Sequence, residues 1–329
     1  RVVKPLGSLA QAKLVLRGLA DAAGVPGAHS WSLLDPAPLR ESLRAHLGLS
    51  RIRANVESGA IRAAAVVTTR ASTSLSVVFC VTQDDPPEDD ARRGIEYVGV
   101  DELEVEHVLA SAAIPSAFPA VELRPPGTKA DWYSDGGTRL NTPTKPALKL
   151  GAERLIIVAL QSPNLGLAAG GVGRPEVIDG AAQLLQGVLV DPLLNDLHTL
   201  AKLNTLVSAD GTRTTEPPLK RIPYILIAPE GPYEIGRRAT AVYRRRYTGP
   251  RNLARRCHSL ARLGRLLEVG DNELRGELFS YFFFDPEFAE ELIALGRSDA
   301  KRWLDQAQRD EHDIGLWRTR PLFADPATP

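Results

Sequence analysis

Apolar residues fall into two kinds of run along this chain, one spaced for helices and one packed densely for strands. Leu39, Leu43 and Leu47 recur every fourth residue, which places a single stripe on a helix. Asp35 stands ready to cap that helix, with Pro36 or Pro38 in its first turn. The periodicity predicts further helices over 9–22, 52–58 and 102–113, the first closed by Gly24-Val-Pro-Gly27 and the last ended with the help of Pro115. Residues 62–69 and 76–82 are β-branched and apolar without alternation, the pattern of strands covered on both faces. The short polar stretch 70–75 joins them as a hairpin.

Beyond this hairpin the pattern predicts strands at 121–123, at Trp132-Tyr133 entering Asp135, at 154–160 and at 224–228. A short helix at 147–150 is closed by Gly151, and the leucine-rich region 176–207 is helical with a kink at Pro192. The order strand, helix, strand implies an α/β fold with a parallel sheet covered by helices. From residue 236 the composition changes to a basic and then helical C-terminal region. This predicts one domain over 1–235 and a second over 236–329.

Composition narrows the function classes. The 329 residues are 43% hydrophobic, enough for a full core. Forty basic residues balance forty acidic ones, so net charge points to neither nucleic acid nor an acidic substrate. Cys80 and Cys257 are the two cysteines; they are too few for a disulfide framework and lack zinc spacing, so no structural metal and no cofactor are expected. No stretch approaches the roughly 18 consecutive apolar residues of a membrane span, and the first 30 residues lack a signal-peptide core. A cytoplasmic protein, peripheral at a membrane, is the expectation. The chain opens on Arg1, as an internal or processed fragment would, and it contains no methionine.

The candidate chemistry gathers in two stretches, His107-Val-Leu-Ala-Ser-Ala-Ala-Ile-Pro-Ser-Ala-Phe-Pro-Ala120 and Trp132-Tyr-Ser-Asp-Gly-Gly-Thr-Arg-Leu-Asn-Thr-Pro143. Small residues, prolines and a glycine pair are suited to hold one carboxylate, Asp135, in place, with Gly136 and Gly137 freeing the backbone beside it. Alone, Asp-Gly-Gly is an ordinary turn. The acidic run 84–90 reads as a solvated loop. Gly166 to Gly173 fits no phosphate-binding fingerprint and reads as a mobile loop. Ser111, Ser116 and Ser134 sit in no nucleophile elbow and read as packing or turn serines; His46 and His107 read as packing or surface histidines.

Several motifs in order resemble the bacterial patatin-like phospholipases. They are Ser32-Leu-Leu-Asp-Pro-Ala-Pro-Leu-Arg40, Ala110-Ser-Ala-Ala-Ile-Pro-Ser-Ala-Phe-Pro119, Tyr133-Ser-Asp-Gly-Gly137 with Asn141-Thr-Pro143, and Leu150-Gly-Ala-Glu-Arg-Leu-Ile-Ile-Val158. Leu278-Phe-Ser-Tyr-Phe-Phe-Phe-Asp-Pro286 with Leu292-Ile-Ala-Leu-Gly296 adds to them. The resemblance implies a three-layer α/β/α fold with a mostly parallel central sheet, and a Ser-Asp dyad that hydrolyses acyl esters of lipids or phospholipids. Asp135 matches the family's aspartate and would be the general base. The family's G-x-S-x-G serine and glycine-rich oxyanion loop have no counterpart here: Gly48-Leu-Ser-Arg-Ile52 fails at its last position and Gly7-Ser8 has the wrong order. In the family both elements lie upstream of the Ser32 segment, so this chain is expected to be inactive alone. A non-catalytic lipid-binding or regulatory protein and an acyltransferase are the other readings.

One local charge pattern departs from the balance. Between 236 and 265 stand ten arginines and no acidic residue. A solvated, internally paired surface is the plain reading. A peripheral contact with anionic membrane through Arg237, Arg238, Arg244, Arg245, Arg246, Arg251, Arg255 and Arg256 is the functional one. Tyr243 and Tyr247 among these arginines are too few for a base-stacking platform, so no specific nucleic acid is expected.

Overall fold

The computed structural model describes residues 35–115, 117–140, 142–163, 180, 199–200, 204, 220–248, 258–267, 269, 272–307 and 315–319. The helix expected at 9–22, the loop at 166–173 and most of the helical region 176–207 lie outside the described residues. The chain divides into two compact units, Arg1–Gly151 with Arg255–Arg262, and Ala152–Ala254 with Leu263–Pro329.

In the first unit helix α1 spans Ala37–His46, and the Asp35 carboxylate accepts the Ala37 N–H at 2.9 Å. Helix α2 follows at Ser50–Glu57. Strands β1 (Ala63–Arg70) and β2 (Ser76–Thr82) pair antiparallel in register from Ala63↔Thr82 to Thr69↔Ser76, as the two apolar runs predict. Strand β3 (Ile95–Gly99), which the apolar pattern does not mark, lies parallel to β2. Helix α3 (Val105–Ser111), strands β4 (Val121–Leu123) and β5 (Asp131–Asp135), and the short helices α4 (Gly137–Leu140) and α5 (Thr144–Lys149) complete the unit.

The sheet order is β3-β2-β1-β5-β4. The expected mostly parallel sheet needs correction in this unit, because only β2 and β3 run parallel while β1/β2, β1/β5 and β4/β5 are antiparallel. Connection length explains the difference. Short links join β1 to β2 and β4 to β5, and these suit hairpins, whereas a parallel neighbour needs a crossover of about a dozen residues or more. The loop 83–94 between β2 and β3 meets that requirement.

Strand β2 is buried from Ser76 through Val81, so both of its faces are covered. On one face Val77, Phe79 and Val81 pack with Val56 of α2, Ala110 of α3, and Leu123 and Tyr133 of β4 and β5. On the other, Val78 packs with Ile95 and Tyr97, joined by Val67 and by Leu140 of α4. Complete burial of a side chain such as Phe79 contributes roughly 1.5–3 kcal/mol. At the strand ends Arg70 donates to both oxygens of Glu96 at 2.6 and 2.8 Å and to the Tyr133 hydroxyl at 3.2 Å, tying β1, β3 and β5 together.

In the second unit β6 (Leu155–Val158) pairs parallel with β7 (Tyr224–Ile227). Helices α6 (Glu234–Tyr247), α7 (His258–Leu266), α8 (Glu273–Ser280) and α9 (Pro286–Ala307) follow, the first residues of α7 being grouped with the first unit. Tyr243 meets Phe279 edge-on at 5.3 Å and Tyr247 meets Phe283 at 5.7 Å, forming an aromatic core. Helices α6 and α8 touch at glycines, since a Cβ on Gly236 would sit 2.4 Å from the Glu277 nitrogen. Into this contact the buried Glu277 carboxylate accepts the Gly236 N–H and the Gln161 amide, each at 2.7 Å. Burial raises its pKa above the usual carboxylate value, and these two hydrogen bonds oppose the shift.

Candidate active site

Asp135 is the last residue of β5, paired with Thr68 of β1, and three hydrogen bonds fix its backbone. Its N–H donates to the Ala113 carbonyl at 2.9 Å, and its own carbonyl accepts from the Thr69 and Thr138 hydroxyls at 3.0 and 2.8 Å. The Ala110–Pro119 stretch thus reaches the aspartate through Ala113. The carboxylate takes one hydrogen bond, from Gly137 N–H to Oδ1 at 2.6 Å. Oδ2 has no hydrogen-bond partner among the described residues. Burial raises the Asp135 pKa above the ordinary value, opposed by the Gly137 N–H, which favours the charged form. A carboxylate fixed at one oxygen, open at the other and more basic than usual is suited to accept a proton.

Gly136 and Gly137 flank it, but neither has a positive φ. What Gly136 supplies is closeness: a Cβ there would lie 2.3 Å from the Val67 carbonyl oxygen and 2.6 Å from its carbon. The backbone leaving Asp135 passes against β1, and only a hydrogen fits between them.

Asp135 opens onto a cleft of about 440 Å³. Val66 and Val67 of β1, Val108 of α3, Leu140 and Pro143 make its wall apolar, while Ser111 and Gly137 add polar atoms. Ser111, at the last position of α3, is the serine that the fold brings to the aspartate's cleft. Ser134 pairs with Thr69, and strand alternation turns its side chain to the face opposite Asp135. Ser116 and Asn141 lie outside the described residues.

The other polar groups have structural partners. His107 is buried; its Nδ1 accepts the Glu104 N–H at 3.0 Å, the Glu104 side chain returns the bond to complete a capping box, and its ring packs 4.7 Å from Phe79. Nδ1 acting as acceptor requires the neutral ring, and burial lowers the His107 pKa accordingly. The Cys80 thiol is pushed up to about 11 by burial, which leaves it unreactive. In the acidic loop, Asp89 accepts the Tyr97 N–H at 2.8 Å. Among the described residues no three His, Cys, Asp or Glu side chains stand together as a metal site, and no helix is long and apolar enough to cross a membrane.

The arginine run meets acids from elsewhere in the second unit. Arg237 pairs with Glu234 and Glu273, Arg238 with Glu234 and Glu291, Arg245 with Glu287 and Glu291, and Arg246 with Asp285 and Glu287. Four arginines therefore face five carboxylates, which offsets the charge a polybasic surface would need. Arg251, Arg255 and Arg256 lie outside the described residues. Tyr243 and Tyr247 are buried in the aromatic core rather than presented to a ligand.

Comparison with known proteins bears on this geometry. Residues 18–148 match the family model described as patatin-like phospholipase, a span that contains α1, the five-stranded sheet, Asp135 and its cleft. No curated protein and no solved structure matches the chain.

Proposed function

Because residues 18–148 match the patatin-like phospholipase family, we propose that Asp135 is the general base of a lipid acyl hydrolase. Its open carboxylate oxygen takes the proton of a serine hydroxyl as that oxygen attacks the ester carbonyl, and the aspartic acid then returns the proton to the leaving alkoxide. The single observation that carries this reading is the carboxylate itself, held by a backbone N–H at one oxygen in a residue that lines a largely apolar cleft. In the family that this span matches, the serine and the oxyanion donors belong to a G-x-S-x-G segment and a glycine-rich loop, and the 329 residues contain neither. The test is Asp135→Asn in protein that carries the G-x-S-x-G segment, with a short-chain nitrophenyl ester as substrate. A loss of at least about a hundredfold is expected; a near-normal rate refutes the assignment.

The absence of an elbow serine from the sequence favours a second reading, in which these residues bind lipid without turning it over. Hydrolysis by protein containing Asp135 and lost in Asp135→Asn would exclude it. The pairing of Arg237, Arg238, Arg245 and Arg246 with carboxylates argues against a membrane contact driven by these arginines.

A further inference from the structure

Helix α9 carries three rows of side chains along its length. Phe288, Leu295, Asp299 and Trp303 belong to the buried row. The next residue in each case, Ala289, Gly296, Ala300 and Leu304, makes a second row about 100° further round the helix. Ile293 joins that row; it is 55% exposed, and Leu304 is 42% exposed. Ala289 and Gly296 are exposed as well, and nothing stands within 4 Å of the place a Cβ on Gly296 would take. Spacings of four, three, four and four residues make a continuous apolar stripe about 22 Å long. One residue further round again are Glu290, Arg297 and Lys301, all exposed and without an ion-pair partner among the described residues. Their neighbours Glu287, Glu291 and Arg302 are paired within the chain.

We propose that this face of α9 binds the same face of a second copy of the chain, antiparallel, with the two-fold axis at Gly296. The charges select the partner. Glu290 and Lys301 stand eleven residues apart, about 16 Å along the helix, too far to pair with each other. A parallel mate would set Glu290 against the partner's Glu290. An antiparallel mate centred on Gly296 brings Glu290 within one residue of the partner's Lys301, and the two-fold symmetry makes that contact twice. The same register puts Ile293 beside the partner's Ala300 and Leu304 beside the partner's Ala289, large against small, as interlocking rows require. At the axis glycine meets glycine, which lets the two backbones close together. Arg297 is left facing its own counterpart, a cost that the Glu290 and Lys301 contacts must outweigh. One helix pair buries less than the roughly 1,200–2,000 Å² of a stable interface, so the association is weak and reversible. It uses no residue of the Asp135 cleft and stands whether or not that site turns over lipid.

Sedimentation equilibrium of the 329-residue chain over a range of concentrations tests this. A monomer–dimer equilibrium is expected, weakened roughly tenfold or more by Ile293→Glu or Leu304→Glu. Glu290→Lys and Lys301→Glu should each weaken it severalfold, and the two together should restore it, which a contact between copies alone can do. Arg297→Ala should tighten it, because the like charges at the axis are gone. All five positions are exposed in the single chain, so the variants keep the fold, and circular dichroism of each checks this. A chain that stays monomeric, a dimer indifferent to both Ile293→Glu and Leu304→Glu, or charge reversals that fail to rescue each other overturns the proposal. So does a dimer that Arg297→Ala weakens, since the axis would then lie elsewhere.

Discussion

Replacing Gly136 by alanine tests whether Asp135 is positioned by close backbone contact. The added Cβ would stand 2.3 Å from the Val67 oxygen, 2.6 Å from the Val67 carbonyl carbon and 3.0 Å from the Thr68 nitrogen. A relaxed carbon–oxygen contact is about 3.3 Å or longer, so β1 and the segment after β5 must separate by about 1 Å. Neither side yields easily, since Val67 is paired with Val78 and Thr68 with Asp135. A displacement of that size carries the bond from the Thr69 hydroxyl to the Asp135 carbonyl, now 3.0 Å, and the ladder bonds at the Thr68–Asp135 pair beyond useful length. Losing two or three bonds at about 1 kcal/mol each, with overpacking of about 1–3 kcal/mol, is offset by about 0.4–1 kcal/mol from the stiffer unfolded chain. The net cost is about 2–5 kcal/mol. For a unit of about 150 residues this lowers Tm by roughly 5–15 °C. Thermal unfolding followed by circular dichroism reads it directly, and a Tm within about 1 °C of the wild type would refute the close-contact account.

Other perturbations have different signs. Gly296 sits in α9 with nothing within 4 Å of the place a Cβ would take, so Gly296→Ala should stabilise the protein by about 0.5–1 kcal/mol, read in the same melt. Asp135 has a raised pKa in the fold, so the native state binds more protons and stability falls as pH rises through the window from the unfolded carboxylate value to the raised one. Asp135→Asn should remove that penalty, raising Tm at neutral pH but not below about pH 3, while Asn still accepts the Gly137 N–H. His107 has the opposite sign: its lowered pKa gives stability that is present above about pH 6.5 and lost as pH falls towards the folded value. His107→Gln keeps the capping-box acceptor and should flatten the loss of stability below about pH 6.5 in urea titrations. Arg246→Ala leaves the buried Asp285 with Tyr247 and two backbone donors and should cost about 1–3 kcal/mol, measured by urea unfolding, with binding to anionic vesicles unchanged.

Much of the first unit is legible in the sequence because its signals are local. The runs 62–69 and 76–82 mark β1 and β2, and Asp-Gly-Gly within its flanking small residues marks the aspartate. Strand direction is not legible in this way. An unbroken apolar run reports cover on both faces, and β2 has that cover, from Ala110 and Val56 on one side and Tyr97 and Leu140 on the other, while running antiparallel to β1. Strand β3 carries no such mark, because Ile-Glu-Tyr-Val-Gly is short, holds a charge, and pairs with a partner across the loop 83–94, whose length no propensity reveals. Gly136 is legible as a glycine but not for its reason, which depends on how near Val67 approaches from a distant strand. The arginines of α6 look unbalanced in sequence because most of their carboxylates arrive from 273–291, well after the run ends.

The pairing of Thr68 with Asp135 also sets where the chain can change length. Successive residues of β5 face opposite ways, so inserting or deleting one residue within Asp131–Asp135 would turn the carboxylate out of its cleft and put Ser134 or Gly136 in its place. The same change in the turn at 124–130 alters only the span between β4 and β5. Lineages of this fold should therefore vary in length between Leu123 and Asp131, and keep count from Asp131 onward.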